Sequence, residues 1–446
     1  MMPDTQRAPD APSLAVDPKP ALSQTLNPGV TKREVWSWAM YDFANSGYTT
    51  VVLTTVFSAY FVGVVAAGES WGTLAFTAAL SFSYLAVMLT MPSLGARADA
   101  RANKRRLLFL STVGCVVTTL LLAFAGPGKV AWALVVLALS NYCYCVGESI
   151  IAAFLPEMAR PDALGRVSGW GWSFGYFGGM LTLGLSLGWV SWATAQGQSA
   201  SEYVPYVMVL TAVIFACAAV PSFLFLRERS VATHTPTVGV FSRLSAAWQE
   251  TSRHFPDFRL LLLCGACYHA GISVVITLSA VYATQAMGFD MAQTMMLVFT
   301  VNIAAALGAF LFGYIQDKVG HKLALSTTLV GWMIMVLLAF FAVQHWVFWL
   351  AATVAGLCMG SSQSAGRAMV GALAPPRRLA EFYSLWTFAT QLAAVVGPLS
   401  YGLVTWVTDG NHRLALLFTG LFFVAGLLVL TRLNFARGLR VRSLLT

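Results

Sequence analysis

Charge is what this chain has least of. Of its 446 residues only 10% are Asp, Glu, Lys or Arg, while 58% are hydrophobic; a soluble globular domain carries about a quarter charged. Mean hydropathy is +0.70, which excludes a water-soluble fold and leaves a membrane protein with many crossings. Equally absent are a glycine-rich phosphate loop, a zinc-spaced Cys/His set and a catalytic triad, and the loops are too short to house a catalytic domain. Neither an enzyme nor an ATP-driven pump is expected, and no cofactor or metal. None of the seven cysteines lies outside a predicted span. Cys264-Gly-Ala-Cys267 has the CxxC form without a second pair at zinc spacing, so the thiols read as small packing residues. Residues 1–31 lack any apolar run and hold six prolines, the composition of a disordered cytoplasmic tail rather than of a signal peptide.

What is present is a long series of apolar blocks. About 20 residues at 1.5 Å rise cross roughly 30 Å of hydrocarbon. Twelve such spans are predicted, at 36–66, 71–94, 107–126, 130–154, 167–193, 203–226, 258–286, 290–314, 323–343, 346–370, 382–408 and 413–434. Residues 32–226 and 258–436 then form two six-helix halves, joined by a basic linker at 227–257 and followed by a cytoplasmic tail at 437–446. With both termini inside, 25 of the 27 Lys and Arg fall on one side and only Lys129 and Arg413 on the other. The positive-inside rule therefore predicts cytoplasmic termini in the cell (inner) membrane. The net charge of +9 is a topology signal, and no nucleic-acid partner is expected.

The first span, Trp36–Ala67, opens with polar groups: Tyr41, Asp42, Asn45 and Ser46. Asp42 lies six residues, roughly 9 Å, past Trp36. Asp42, Asn45 and Ser46 share one helix face through their i,i+3 and i,i+4 spacing. An acid and an amide there have to face a cavity or a partner, because facing lipid would cost a few kcal/mol or more. Of the 18 acidic residues only Asp42 and Glu148 fall well inside spans. Glu148 sits sixteen residues, roughly 24 Å, from the outer end of helix 4 at Trp132.

A repeat organises the rest. Helix 2 ends in Gly95-Ala-Arg97-Ala-Asp99-Ala-Arg101, and helix 8 ends in Gly313-Tyr-Ile-Gln-Asp317-Lys318-Val-Gly320-His321-Lys322. Each has Gly, Asp four residues later and a basic cluster, between the second and third helix of its half. The pattern resembles the signature G-x-x-x-D-(R/K)-x-G-(R/K)-(R/K) of the major facilitator superfamily. The second copy fits; in the first, Ala100 replaces the basic residue and Ala102 the second glycine, so Asn103 is expected to take the left-handed turn position. The resemblance implies an all-α polytopic membrane protein, twelve transmembrane helices in two pseudo-symmetric six-helix halves, working by alternating access. Gly95, Asp99, Arg101, Gly313, Asp317, Lys318 and Gly320 would form a conformational latch, an aspartate meeting a helix N-terminus and nearby arginines. A bland reading of the same turns is a charged loop that sets topology.

A narrower resemblance lies in Tyr41-Asp42-Phe43-Ala44-Asn45-Ser46-Gly47-Tyr48, Phe154-Leu-Pro156-Glu157-Met158, Arg166-Val-Ser168-Gly169-Trp170-Gly171-Trp172 and Gln363-Ser-Ala-Gly366-Arg367. These blocks are similar to the vacuole-effluxer branch, which includes autophagy-linked amino-acid effluxers. The branch implies export or facilitated release of small metabolites. Helices 1 and 4 line the central cavity in this superfamily, so Asp42 and Glu148 would face each other or a shared ligand. Arg367 would bind a substrate carboxylate, pair with Asp42 or Glu148 as an inner gate, or snorkel to water. Tyr41, Asn45, Trp170, Tyr268, His269 and Gln363 complete the candidate substrate or proton-coupling set; Asn141, Asn302, Tyr383, Trp386 and Gln391 read more as helix–helix glue.

The leading expectation is a monomeric secondary transporter in the lipid bilayer, moving an amino acid or similar zwitterion, coupled to protons. An exporter of amphipathic drugs or lipids, using the 13% aromatic content as a greasy cavity, is the alternative. A non-transporting sensor or scaffold is the reading of another class, and would leave the paired latch motifs without a purpose.

Overall fold

The computed structural model describes residues 25–67, 71–230, 232, 248–251, 253–289 and 291–444. Twelve long helices are found among the described residues. They are α1 Lys32–Val65, α2 Gly72–Arg101, α3 Lys104–Leu122, α4 Val130–Ala152, α5 Leu164–Ala195 and α6 Ala200–Phe225, then α7 Pro256–Gln285, α8 Met291–Val319, α9 His321–Phe341, α10 His345–Leu373, α11 Leu379–Val407 and α12 His412–Arg432. Ten are long and apolar enough to cross a membrane by composition. The two that are not, α5 and α10, are rich in glycine and serine and carry Arg166 and Arg367. Both take part in contacts between the halves, as do α2, α8 and α11.

The helices form two six-helix halves. Along their shared boundary α2 packs on α11 and α5 on α8, a symmetric exchange between equivalent helices. Close approach is set by small residues: a Cβ on Gly169 would run into the backbone of Ala309 and Gly313, and one on Gly165 into Asp317. Further along α5, Gly184 and Gly188 have nothing within 4 Å. The halves therefore interlock at the end that carries the linker and the basic turns, called here the basic face. Within α1, segments Thr49–Thr55 and Phe61–Val65 are π-helical. There Thr54 and Thr55 donate their hydroxyls back to the Thr50 carbonyl at 2.8 and 2.5 Å, which loosens the regular ladder.

Four expectations need correction. Helix α2 does not end near residue 94 but runs to Arg101, so the first motif is helical and its turn is only Ala102–Asn103. Ala102, at φ +48°, holds the left-handed position, whereas Asn103 has φ −130°. The end of the tail at 1–31 is ordered: Asn27 donates from its backbone to Met158 and from its side chain to Pro156, and Leu26 bridges Ala159. Residues 1–24 lie outside the described residues. Residues 437–444 of the tail belong to a further helix, α13 Phe435–Leu444, pinned by Arg437 on Asp257 at 2.7 Å, and residues 445–446 lie outside the described residues. Much of the linker at 227–257 lies outside the described residues. Its start is clamped to the first half, with Glu228 accepting from the Lys104 N–H at the start of α3 and Arg229 paired with Glu34. All seven cysteines are free, and Cys217 is exposed, so a packing role fits the other six.

Candidate functional site

The site grows from the flat glycine face of α5. A Cβ at Gly171 would strike the Asp42 carboxylate, the Arg367 guanidinium and the Trp38 ring, and one at Gly175 would press on Ser46. Lacking side chains there, α5 lets α1 of its own half and α10 of the other half meet across it. Arg367 donates from Nη1 to Asp42 Oδ2 at 2.6 Å, from Nε to Ser168 Oγ at 3.1 Å and from Nη2 to the Ser168 carbonyl at 2.8 Å. The guanidinium carbon lies 4.7 Å from the Trp38 ring centre and 5.3 Å from that of Trp172. Trp38 is itself held by its indole N–H on the Ile151 carbonyl of α4 at 2.9 Å, and Tyr383 donates to the Arg367 carbonyl at 2.8 Å.

The two charged side chains are 8% and 10% exposed. A buried, hydrogen-bonded pair of this kind gives little net stability, but removing one partner strands the other at about 3–5 kcal/mol. The pair is therefore a specific connection between halves rather than a general glue. Of the open possibilities for Arg367, the geometry realises the pairing with Asp42 and not the snorkel to water.

Further polar groups lie within the helix bundle. Glu148 is half-buried on α4. Asn45, 5% exposed, has neither amide oxygen nor nitrogen hydrogen-bonded, and the same holds for the Trp172 indole N–H and for His269 Nε2. The His269 ring packs on Tyr268 at 4.6 Å and Trp386 at 5.5 Å. Gln363 of α10 accepts from Tyr176 of α5 at 2.6 Å, and Gln391 of α11 reaches Cys145 of α4 at 3.3 Å. Asn141 bonds Ser83 of α2, and Asn302 bonds its own helix at Val298.

Three candidates do not join this cluster. Tyr41 turns into its own half and bonds Thr112 of α3 at 2.7 Å. Trp170 points at α8, where its indole reaches the Tyr314 hydroxyl at 3.2 Å. Tyr268 is fully buried, with its hydroxyl 3.5 Å from the Ser362 carbonyl. In their place stand Trp38, Ser168 and Trp172. Ser168 and Gly171 lie three apart on α5, so one face of the Arg166–Trp172 block carries both. That spacing was the available signal.

The two repeated turns close the basic face. Asp317 accepts from the backbone N–H of Gly165 at 2.9 Å and Arg166 at 3.1 Å, and from Arg166 Nε at 2.7 Å, capping α5 of the other half. Asp99 accepts from the Glu381 N–H at 2.9 Å, at the start of α11. A Cβ on Gly95 would meet Ser384 and Ala380, and one on Gly313 would meet the Gly165 carbonyl at 2.7 Å. Gly320 makes its turn at φ +91°, and Arg101 and Lys318 stand exposed at the helix ends.

Residues 162–442 match the family model described as vacuole effluxer Atg22 like, and residues 2–183 match the model of the major facilitator superfamily. The chain belongs to the vacuole-effluxer Atg22-like family. It is thus a membrane transporter of the major facilitator superfamily and not an enzyme. Among relatives of this Atg22-like chain, the uncharacterised MFS-type transporter YxiO of Bacillus subtilis is 26% identical over 411 residues, covering 90% of this chain and 94% of its own. The fold is similar to that of the human organic anion transporter MFSD10, with TM-score 0.73 and 16% identity over 90% of this chain and 99% of the other. It is similar as well to a bacterial homologue of the iron transporter ferroportin in its outward-facing state, with TM-score 0.70 and 14% identity over 91% of this chain and 100% of the other.

Proposed function

We propose that this Atg22-like chain is a secondary active exporter of a small zwitterionic metabolite, an amino acid in the first instance, working by alternating access and coupled to protons. The observation that carries the reading is the Asp42–Arg367 pair, one member in each half, buried beside unpartnered polar groups. A zwitterion bears the complement of that pair. Its carboxylate fits the forked donors of Arg367, and its ammonium fits Asp42. Binding in this way exchanges a protein–protein contact for two protein–substrate contacts, so the halves can separate at the basic face without stranding either charge. Near-neutral exchange of this sort is what a carrier needs for binding that is firm yet reversible.

By the positive-inside distribution the basic face is cytoplasmic and the protein sits in the cell membrane as a monomer, closed toward the cytoplasm and receptive on the other side. The test is uptake and exchange of radiolabelled amino acids in proteoliposomes, with and without a pH gradient. Gradient-dependent exchange that is lost in Asp42→Asn supports the reading; flux unaffected by the gradient, or unchanged in Asp42→Asn, overturns the coupling. The indoles over Arg367 favour a second reading, a carrier of amphipathic cations or lipids. Thermal-shift screening separates the two: stabilisation by amino acids and not by hydrophobic cations favours the first.

A further inference from the structure

The first half touches the second at a further place, away from the repeated turns and the Asp42–Arg367 pair, and its parts come from far apart in the chain. Just before α1, Asn27-Pro28-Gly29-Val30 forms a tight turn, with the Val30 N–H on the Asn27 carbonyl at 3.1 Å and Gly29 at φ +79°. Proline at the second position and a left-handed glycine at the third are the type II pattern. Thr31 then caps α1 by accepting from the Glu34 N–H at 3.3 Å. The turn fixes where the chain before it runs. Leu26 pairs with Ala159 in an antiparallel bridge, the Asn27 N–H meets the Met158 carbonyl at 2.8 Å, and the Arg160 N–H meets the Thr25 carbonyl at 3.1 Å. The Asn27 amide side chain donates in addition to the Pro156 carbonyl at 3.0 Å.

What this strap holds is the corner after α4, where Leu155–Met158 makes a single turn of helix. Four residues have no helical stability of their own, so the corner stands where its partners place it. Glu157 is held by the fully buried Lys104 and by the Arg229 N–H at 2.9 Å. Set in this way, Pro156 reaches the other half: a Cβ on Gly371 of α10 would lie 2.7 Å from its Cγ. Gly371 is one turn beyond Arg367 on the same helix. A cavity of about 270 Å³ borders the contact, with Asn27, Pro156 and Glu157 on one side and Pro376, Leu379 and Arg442 on the other, so the strap lies at the seam itself. We propose that residues 25–30 act as a brake on opening of the basic face, holding the corner so that Pro156 stays seated on Gly371 and α10 stays closed against the first half. This rests on the alternating-access reading and not on which substrate is carried. Asn27 is then a positioning residue, acting on α10 through Pro156.

Distances between spin labels at exposed Arg106 and Arg432, one on the basic face of each half, test this on the full-length protein in liposomes without knowing the substrate. Asn27→Pro removes both donors of that residue and is expected to raise the open fraction roughly tenfold; Asn27→Ala removes only the side-chain bond and should raise it about threefold. Retention of fold is checked by size-exclusion profile. Pro156→Ala should open the face by itself, and adding it to Asn27→Pro should change nothing more, because both act through one contact. If Pro156→Ala or Asp317→Ala lengthens the distance and Asn27→Pro leaves it as in the wild type, the strap is no brake. Additive effects of Asn27→Pro and Pro156→Ala would likewise overturn the route through Pro156. If Asp317→Ala also leaves the distance unchanged, the halves do not rock, and the alternating-access reading falls together with the strap.

Discussion

The two repeated turns occupy equivalent places and do equivalent jobs with unequal means. At the end of α8, Asp317 caps α5 with two backbone N–H groups and an ion pair to Arg166, and the chain turns through Gly320 at φ +91°. At the end of α2, Asp99 caps α11 through the Glu381 N–H, and the chain turns through Ala102 at φ +48°. The second copy is charge-assisted and turns through glycine. The first relies on a helix terminus and forces a residue with a Cβ into the left-handed region, at about 1–2 kcal/mol. Pseudo-symmetry conserves the task of closing the basic face, and the strength resides mainly in one copy.

Four substitutions break or sharpen this contrast, read as the distance between spin labels at exposed Arg160 and Arg432, one on the basic face of each half, or as thermal stability. Asp317→Ala has the largest expected effect: it removes three bonds and leaves Arg166 without its acid, shifting the closed–open balance toward open by about 2–4 kcal/mol and lengthening the distance. Asp99→Ala removes a helix cap, so the same shift is smaller, about 1–2 kcal/mol. An equal response of the two would mean that the Arg166 pair adds nothing. Gly320→Ala puts a Cβ where φ is +91° and ψ is 150°, a region open essentially to glycine alone and different from that of Ala102, lowering stability by about 1–3 kcal/mol. Ala102→Gly relieves the left-handed strain at the first turn, offset by the entropy of a new glycine, for a gain of about 0.5 kcal/mol in thermal unfolding. A loss in Ala102→Gly would show that the alanine methyl makes contacts worth more than the strain.

The extent to which this architecture was legible follows from what each signal measures. Twelve helices could be read because hydropathy blocks of membrane length are long and well separated. The close contacts of Gly95, Asp99, Gly313 and Asp317 could be read because turn chemistry is local: a glycine and an aspartate at fixed spacing mean much the same wherever they occur. The end of α2 was misplaced because a polar segment leaving the bilayer looks the same whether it is helix or loop. Helix rotation was the harder loss. A span apolar on every side carries no moment to say which face looks inward, so Tyr41 and Trp170 were counted into a site from which both turn away. Trp38 went unnoticed because nothing local marks an indole that will stack on an arginine more than 300 positions later. Asp42 and Arg367 were the exception, since a charge inside the membrane must find a partner and few were on offer.

The central claim is that Arg367 both holds Asp42 across the halves and receives the substrate. Exchange of radiolabelled amino acids at equal pH in proteoliposomes, compared between wild type and Arg367→Gln with retention of fold checked by size-exclusion profile, tests it most directly. Exchange in the wild type and its loss in a folded Arg367→Gln is the predicted result. Undiminished exchange in that variant would contradict the account.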